Sequence, residues 1–60
     1  MSKEDTNVSA RTLLQAGIES IDRSDIQQAK LCLAVAEKLF LDCGDAWYAY
    51  IARDWYESAR

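Results

Sequence analysis

The stretch from Leu31 to Leu41 limits the possible folds of this chain more than any other part of the sequence. Residues 31–36 include no charged or amide side chain, and after Glu37 and Lys38 three more apolar residues follow. A helix with one core-facing side would show a polar residue at every third or fourth position. We therefore expect a central helix that other segments of the chain cover on more than one side.

The length of the chain limits how completely that helix can be covered. A chain of 60 residues forms one domain at most, and folding at this size buries only about 60% of the surface that an unfolded chain exposes. Small domains usually gain further stability from disulfides, a metal ion or self-association. Histidine is absent and two cysteines make a poor zinc site, so we expect no metal and no cofactor. Self-association remains as the expected source of additional stability.

The two cysteines, Cys32 and Cys43, are too far apart on one helix to form a bridge. An unbroken helix between them separates the two by about 16 Å, whereas a disulfide requires Cα atoms within about 7 Å. We therefore expect two reduced thiols, with Cys32 buried as a small hydrophobic residue and Cys43 near a helix end. The alternative is an intermolecular disulfide through Cys43.

The spacing of apolar residues predicts a single all-α domain over residues 9–60 that folds as an antiparallel three-helix bundle. Residues 1–8 offer little to bury and are expected to form a disordered tail. The first helix would begin near Asn7 or Ser9, since either residue can cap it. The three helices are expected at about 9–22, 25–42 and 45–59.

Glycine and capping residues mark where these helices meet. Gly17 lies in the middle of the apolar arc of the first helix, which predicts that another helix approaches closely there. The segment from Ser24 to Gln27 has the form of a capping box and favours a turn at Asp22 and Arg23. One continuous helix through residues 22–25 is the alternative. A second turn is expected at Gly44, which would end the second helix. Asp45, the next residue, would cap the third helix.

The third helix carries most of the aromatic side chains. On a helical wheel Tyr48, Ile51, Ala52, Trp55 and Ala59 share one face, with Trp47 and Tyr56 at its flanks, and Tyr50 points elsewhere. So many aromatic edges around one short helix exceed what its own core can bury. We therefore predict partner-binding residues at Trp47, Tyr48, Tyr50, Ile51, Trp55 and Tyr56. Packing inside the domain is the favoured alternative for Ile51 and Trp55.

The middle of the chain resembles a tetratricopeptide repeat, a unit of 34 residues that forms two interlocked helices. Leu13 stands at the large position of the first helix of such a repeat, and Gly17 stands at its small position. The small-large-small spacing of the second helix is matched by Ala29, Leu33 and Ala36. Trp47 follows Leu13 by 34 residues and resembles the opening of a second repeat.

The resemblance covers about residues 10–60 and includes departures. Ser20 stands where the family has an aromatic residue, and Ile51 stands at the small position of the second repeat, although a shift by one residue improves that match. An unrelated three-helix bundle would have the same architecture. Stacked repeats are stable when three or more bury a continuous core. The resemblance therefore implies that a second copy or a larger helical partner completes the structure.

The inventory of residues argues against an enzyme. The chain has no histidine, no glycine-rich phosphate loop and no pair of carboxylates in a recognisable cleft. We therefore expect no catalytic residue, no metal-binding residue and no small-molecule substrate. The expected function is that of a non-enzymatic protein–protein interaction module, an adaptor, chaperone-like subunit or inhibitor, whose partner is another protein or a second copy of the chain.

A nucleic-acid-binding regulator of the helix-turn-helix type is the alternative function. The net charge is −3, and the third helix offers Arg53 against Asp54 and Glu57. A helix that reads the major groove normally presents several basic or amide side chains, so we do not expect nucleic acid to be the partner. The apolar runs are too short to span a bilayer and the N-terminus lacks a secretory pattern. We therefore expect no membrane association and a cytoplasmic location.

Overall fold

The computed structural model describes residues 2–59, which form three helices joined by two short turns. Helix α2 lies between the other two and packs against both, so that the chain forms an all-α three-helix bundle. The predicted fold class is confirmed at this level. The helices are α1 (Lys3–Asp22), α2 (Ile26–Asp42) and α3 (Ala46–Ser58).

The N-terminal segment differs from the prediction, because α1 begins at Lys3 rather than near Asn7 or Ser9. Ser2 is the N-cap, and its hydroxyl accepts a hydrogen bond from the backbone N–H of Asp5 at 3.2 Å. Acidic side chains in the first turn also stabilise α1 through their attraction to the positive end of the helix dipole. The expected disordered tail is therefore wrong for residues 3–8. Met1 lies outside the described residues.

The two turns have the same hydrogen bonds. In each, the residue after the positive-φ position donates its backbone N–H to a carbonyl five residues earlier, from Asp25 to Ser20 and from Asp45 to Phe40, both at 2.8 Å. This is the Schellman arrangement that closes a helix C-terminus. The positive-φ residue is Ser24 in the first turn, with φ 63°, and a glycine in the second, with φ 80°.

The first turn separates α1 from α2, so the alternative of one continuous helix is wrong. The capping box is also corrected. Asp25, not Ser24, caps α2, and its carboxylate accepts from the backbone N–H of Gln28. Ser24 cannot serve as the cap because its left-handed backbone closes the preceding helix. The second turn follows the prediction, with Gly44 ending α2 and an aspartate capping α3.

Gly17 allows α1 and α2 to pack closely, as predicted. A Cβ atom added to Gly17 would lie 2.7 Å from Cγ of Leu33, and 3.4 Å from the carbonyl oxygen of Ala29. Leu33 is fully buried and fills the space that the glycine leaves. The position therefore admits no side chain unless the Leu33 side chain or α2 shifts.

The core consists mainly of small side chains. The largest fully buried side chains are those of Phe40, Leu33 and Ser20, and alanines make up most of the other buried positions. The Ser20 hydroxyl donates to the carbonyl oxygen of Ala16 at 2.9 Å and accepts from the Arg23 guanidinium. It is therefore satisfied where the tetratricopeptide pattern has an aromatic ring. Small residues bring the helices close together, and several large apolar side chains, among them Leu31, Trp47 and Tyr50, remain exposed.

The outer face of α2 is not covered. Leu31 is 63% exposed, and Val35, one turn later, is about half exposed. We call these two residues the α2 stripe. Leu41 is also exposed, but it lies about a third of a turn away from Val35 around the helix. The expectation that α2 is covered on more than one side is met where it faces α1 and α3. Its third side faces solvent.

Candidate functional site

The start of α3 is held in place by a single carboxylate. One oxygen of Asp45 accepts from the backbone N–H of Tyr48 at 3.2 Å, and the other accepts from the side-chain amide of Asn7 at 3.0 Å. The first bond caps the helix, and the second joins α3 to the N-terminal half of α1. The first turn of α3 is therefore fixed relative to the rest of the bundle.

Tyr48, one of the predicted partner-binding residues, packs inside the bundle. Its ring stacks on Phe40 of α2 with centroids 5.3 Å apart and an interplanar angle of 21°. The guanidinium of Arg11 lies 5.2 Å from the centroid of the same ring, which is within the range of a cation–π contact. Tyr48 therefore connects all three helices.

Two alanines form the inner face of α3. Ala49 and Ala52 are buried against the core, while Ile51 is half-buried at its margin. The small residue of α3 that allows close packing is thus Ala52, as in the shifted alignment to the tetratricopeptide pattern. Because the narrow contact between α2 and α3 is filled by alanines, the bulky residues of α3 lie to either side of it.

The outer side of α3 carries a row of large apolar side chains. Trp47 is 70% exposed and Tyr50 is 68% exposed, and Trp55 is exposed over 37% of its surface. Trp47, Ile51 and Trp55 follow one another at intervals of four residues, and Tyr50 lies beside them one turn after Trp47. We call these four residues the α3 stripe. It combines four of the six predicted partner-binding residues on one side of one helix.

Tyr56 does not belong to this surface. It follows Trp47 by nine residues, which is half a turn out of phase on a helix. Its ring lies instead beside α2, where Nζ of Lys30 is 5.8 Å from the ring centroid. The six predicted residues therefore fall into three places, namely the α3 stripe, the core contact of Tyr48, and the contact of Tyr56 with α2.

An ion-pair network borders α3 on the side of α2. The Arg53 guanidinium lies 3.4 Å from a carboxylate oxygen of Glu37 on α2 and 3.3 Å from one of Glu57. The hydrogen bond and charge of Glu37, followed by the charge of Glu57, raise the pKa of Arg53 above its ordinary value. These groups are solvent-exposed, so the network contributes little to stability. The network does place Arg53, the cationic side chain of α3, between the carboxylates of Glu37 and Glu57.

Cys32 and Cys43 do not form a disulfide with each other, as the helix geometry predicts. Cys32 is buried, and Cys43 is half-buried in the second turn, where its Sγ donates to the carbonyl oxygen of Phe40 at 3.4 Å. A shallow, open groove beside Cys43 is bordered by Lys3 and Val8 of α1. Among residues 2–59 no group of three or more potential metal ligands comes together.

The α2 stripe belongs to the long apolar run whose incomplete coverage was expected from the length of the chain, but neither of its residues was among the predicted partner-binding residues. Its signal was present, since Leu31 and Val35 are one turn apart within the long apolar run. The described helices include no segment long and apolar enough to cross a membrane.

Comparison of the chain with protein-family models, with curated proteins and with solved structures gives no significant match. The class that the fold defines is therefore the three-helix all-α bundle, and function has to be argued from its surface.

Proposed function

We propose that this protein is a small protein–protein interaction module whose binding face is the α3 stripe. The observation that carries the proposal is the exposure of Trp47 and Tyr50, two large aromatic side chains side by side on a helix that is already anchored. Tryptophan and tyrosine are the residues most enriched among those that dominate interface energies. The module would act by occupying a partner's surface, as an adaptor, a chaperone-like subunit or an inhibitor.

The rigidity of α3 supports this function. Asp45 fixes the start of the helix through two hydrogen bonds, and the buried alanines hold its inner face against α2. Aromatic side chains on a fixed backbone lose little conformational entropy when a partner covers them. The α3 stripe is thus organised for binding before a partner arrives.

The tetratricopeptide resemblance supports the same face. In that arrangement α1 and α2 form one repeat, and α3 corresponds to the first helix of a second repeat. The second helix of that repeat would pack beside α3, and residues 2–59 form no further helix that occupies this place. We propose that a helix from another protein, or from a second copy of this chain, takes that place in the cytoplasm.

The alternative of a nucleic-acid-binding regulator receives less support. Arg53 lies between Glu37 and Glu57, and release from both would be needed before it could contact a phosphate or a base. The α3 stripe is apolar, whereas protein–DNA interfaces are markedly basic.

A capture experiment with paired variants tests the proposed binding face. Immobilised wild-type chain, Trp47→Ala/Tyr50→Ala and Leu31→Ala are exposed to lysate of the native source, and circular dichroism establishes that each is folded. Leu31 is the matched control because it is about as exposed as the two aromatics and lies on α2. We expect the wild type and the control to retain a protein that the double variant loses. Equal capture by a folded double variant would contradict the proposal.

A further inference from the structure

We infer that the occupant of the α3 stripe is the α3 helix of a second copy, packed antiparallel about a twofold axis that passes beside Ile51. This inference rests on the proposed function, since it names the partner of the same surface. It is carried by three properties of the stripe, namely the symmetry of its spacing, the area that it offers and the position of its charge.

The spacing of the stripe is the same read in either direction. Trp47 lies four residues before Ile51, and Trp55 lies four residues after it. A twofold interface requires a surface that is complementary to itself. In an antiparallel pair centred on Ile51, Trp47 of each copy meets Trp55 of the other, and the two isoleucines meet at the axis. Each end of the interface would therefore contain an aromatic pair, which prefers offset or edge-to-face packing.

The area of the stripe fits a pair of chains of this size. A standard interface buries about 800 Å² on each partner, and the described chain exposes 4162 Å² in total. The exposed parts of Trp47, Tyr50 and Trp55 amount to roughly 400 Å², given the size of aromatic side chains. These three residues would supply about half of a standard interface. Neighbouring atoms of α3 and the margin of the bundle supply the remainder when two helices pack at 8–10 Å.

The charge beside the stripe also matches a second copy. Asp54 follows Trp47 by seven residues and therefore lies on the same side of α3 as Tyr50. A twofold axis places corresponding flanks of the two helices on the same side. Tyr50 of one copy and Asp54 of the other are then offset by about 3 Å along the helix axis, so the phenol O–H can donate to the carboxylate. The two Asp54 residues are offset by about 9 Å, which is close to the screening length of physiological salt.

Complementary variants test this pairing directly. Trp47→Lys and Trp55→Glu each replace one member of the aromatic pair, and Leu31→Lys on the α2 stripe is the matched control. We expect sedimentation analysis to show a dimer for the wild type and the control, and a monomer for each tryptophan variant alone. An equimolar mixture of the two variants should dimerise again, because one end of the mixed pair has lysine facing glutamate and the other retains both tryptophans. Native mass spectrometry identifies the mixed dimer by mass.

A gentler variant covers the case in which a charged substitution unfolds the chain. Tyr50→Phe removes only the phenolic O–H, and because both copies lose their hydrogen bond to Asp54 it should raise the dissociation constant of the dimer about a hundredfold, about tenfold for each hydrogen bond to a charged group. Three results would overturn the inference: a monomeric wild type, a dimer that Leu31→Lys disrupts, or folded tryptophan variants whose mixture remains monomeric. A monomer that still captures another protein through Trp47 and Tyr50 would overturn the inference and leave the proposed function standing.

Discussion

At the scale of single residues, Ser24 stands out because it has a left-handed backbone without being a glycine. Its φ is 63°, while the equivalent position of the second turn is occupied by Gly44 with φ 80°. The left-handed conformation costs a residue with a Cβ roughly 1–2 kcal/mol, and glycine escapes that cost. The first turn therefore retains strain that the second turn lacks.

Ser24→Gly should stabilise the protein by about 1 kcal/mol, because glycine removes this strain, although it also gains freedom in the unfolded chain. Urea unfolding at a fixed protein concentration measures the change. Gly44→Ala is the reciprocal variant and should destabilise by a similar amount, since nothing within 4 Å would obstruct its Cβ and only the backbone is affected. A neutral or destabilising Ser24→Gly would show that the serine is unstrained.

Gly17→Ala should destabilise the protein by about 1–2 kcal/mol, even though alanine favours helices more than glycine by about 1 kcal/mol. The reason is the Leu33 side chain, whose Cγ and Cδ2 would lie within 2.8 Å of the new methyl group. Equilibrium unfolding of Gly17→Ala, Leu33→Ala and the double variant forms a cycle that isolates this contact. We expect the double variant to be more stable than the sum of the single effects predicts. Strict additivity would mean that the helices move apart at no cost.

At the scale of helices, the two capping aspartates form a natural comparison. Asp25 accepts one backbone hydrogen bond, at 3.4 Å, while Asp45 accepts one at 3.2 Å and a second bond from Asn7. Asp25→Ala should cost about 1 kcal/mol, which is typical for loss of a cap. Asp45→Ala should cost about 1 kcal/mol more, because it also breaks the tie between α1 and α3.

Thermal or urea unfolding of both aspartate variants checks this difference, and Asn7→Ala serves as its control. Asn7→Ala should reproduce the additional loss while leaving the cap intact. Equal destabilisation by Asp25→Ala and Asp45→Ala would contradict the structural role of the Asn7 contact.

The sequence predicted the number of helices and both turns, and it missed the first two turns of α1. Apolar periodicity could not reveal that part of the helix, because residues 3–7 contain nothing that the core buries. The information was instead in Ser2, a capping residue followed by acidic side chains. A helix stabilised by its cap and dipole has no hydrophobic signature, so the polar segment was read as a tail.

The predicted inner face of α3 included more aromatic side chains than the structure buries there. The predicted face is correct at Ala52, which is fully buried, whereas Trp55 on that face is 37% exposed and Ala49, outside it, is buried. Alanines thus form the contact of α3 with the core, and the ring of Trp55 lies beside that contact. The four residues of the α3 stripe could be identified from sequence. The exclusion of Tyr56 also follows from sequence, because it lies half a turn out of phase with Trp47. The core contact of Tyr48 could not be identified, because it depends on how α3 packs against Phe40 of α2.

At the scale of the whole molecule, the small core makes stability depend on what covers the outer surface. Chains of this size seldom derive more than about 3–5 kcal/mol from a single core, and this core is built mainly from alanines. If two chains cover each other, the thermal midpoint should rise with protein concentration by mass action. Differential scanning calorimetry across a hundredfold range of concentration measures this. Trp47→Lys should remove the dependence, and a midpoint independent of concentration in the wild type would contradict coupled folding and association.

The shared geometry of the two turns has a consequence for how a chain of this kind can change in length. In each turn one aspartate closes the preceding helix with its backbone N–H and caps the next helix with its carboxylate. The residues of the turn are therefore sufficient to end one helix and to begin the next. A duplication that inserted a helix together with one such turn would extend the array without altering the existing junctions. We therefore expect that a further helix joined to α3 by the same turn would fold without disturbing α1 and α2, and that it would pack against the exposed side of α3.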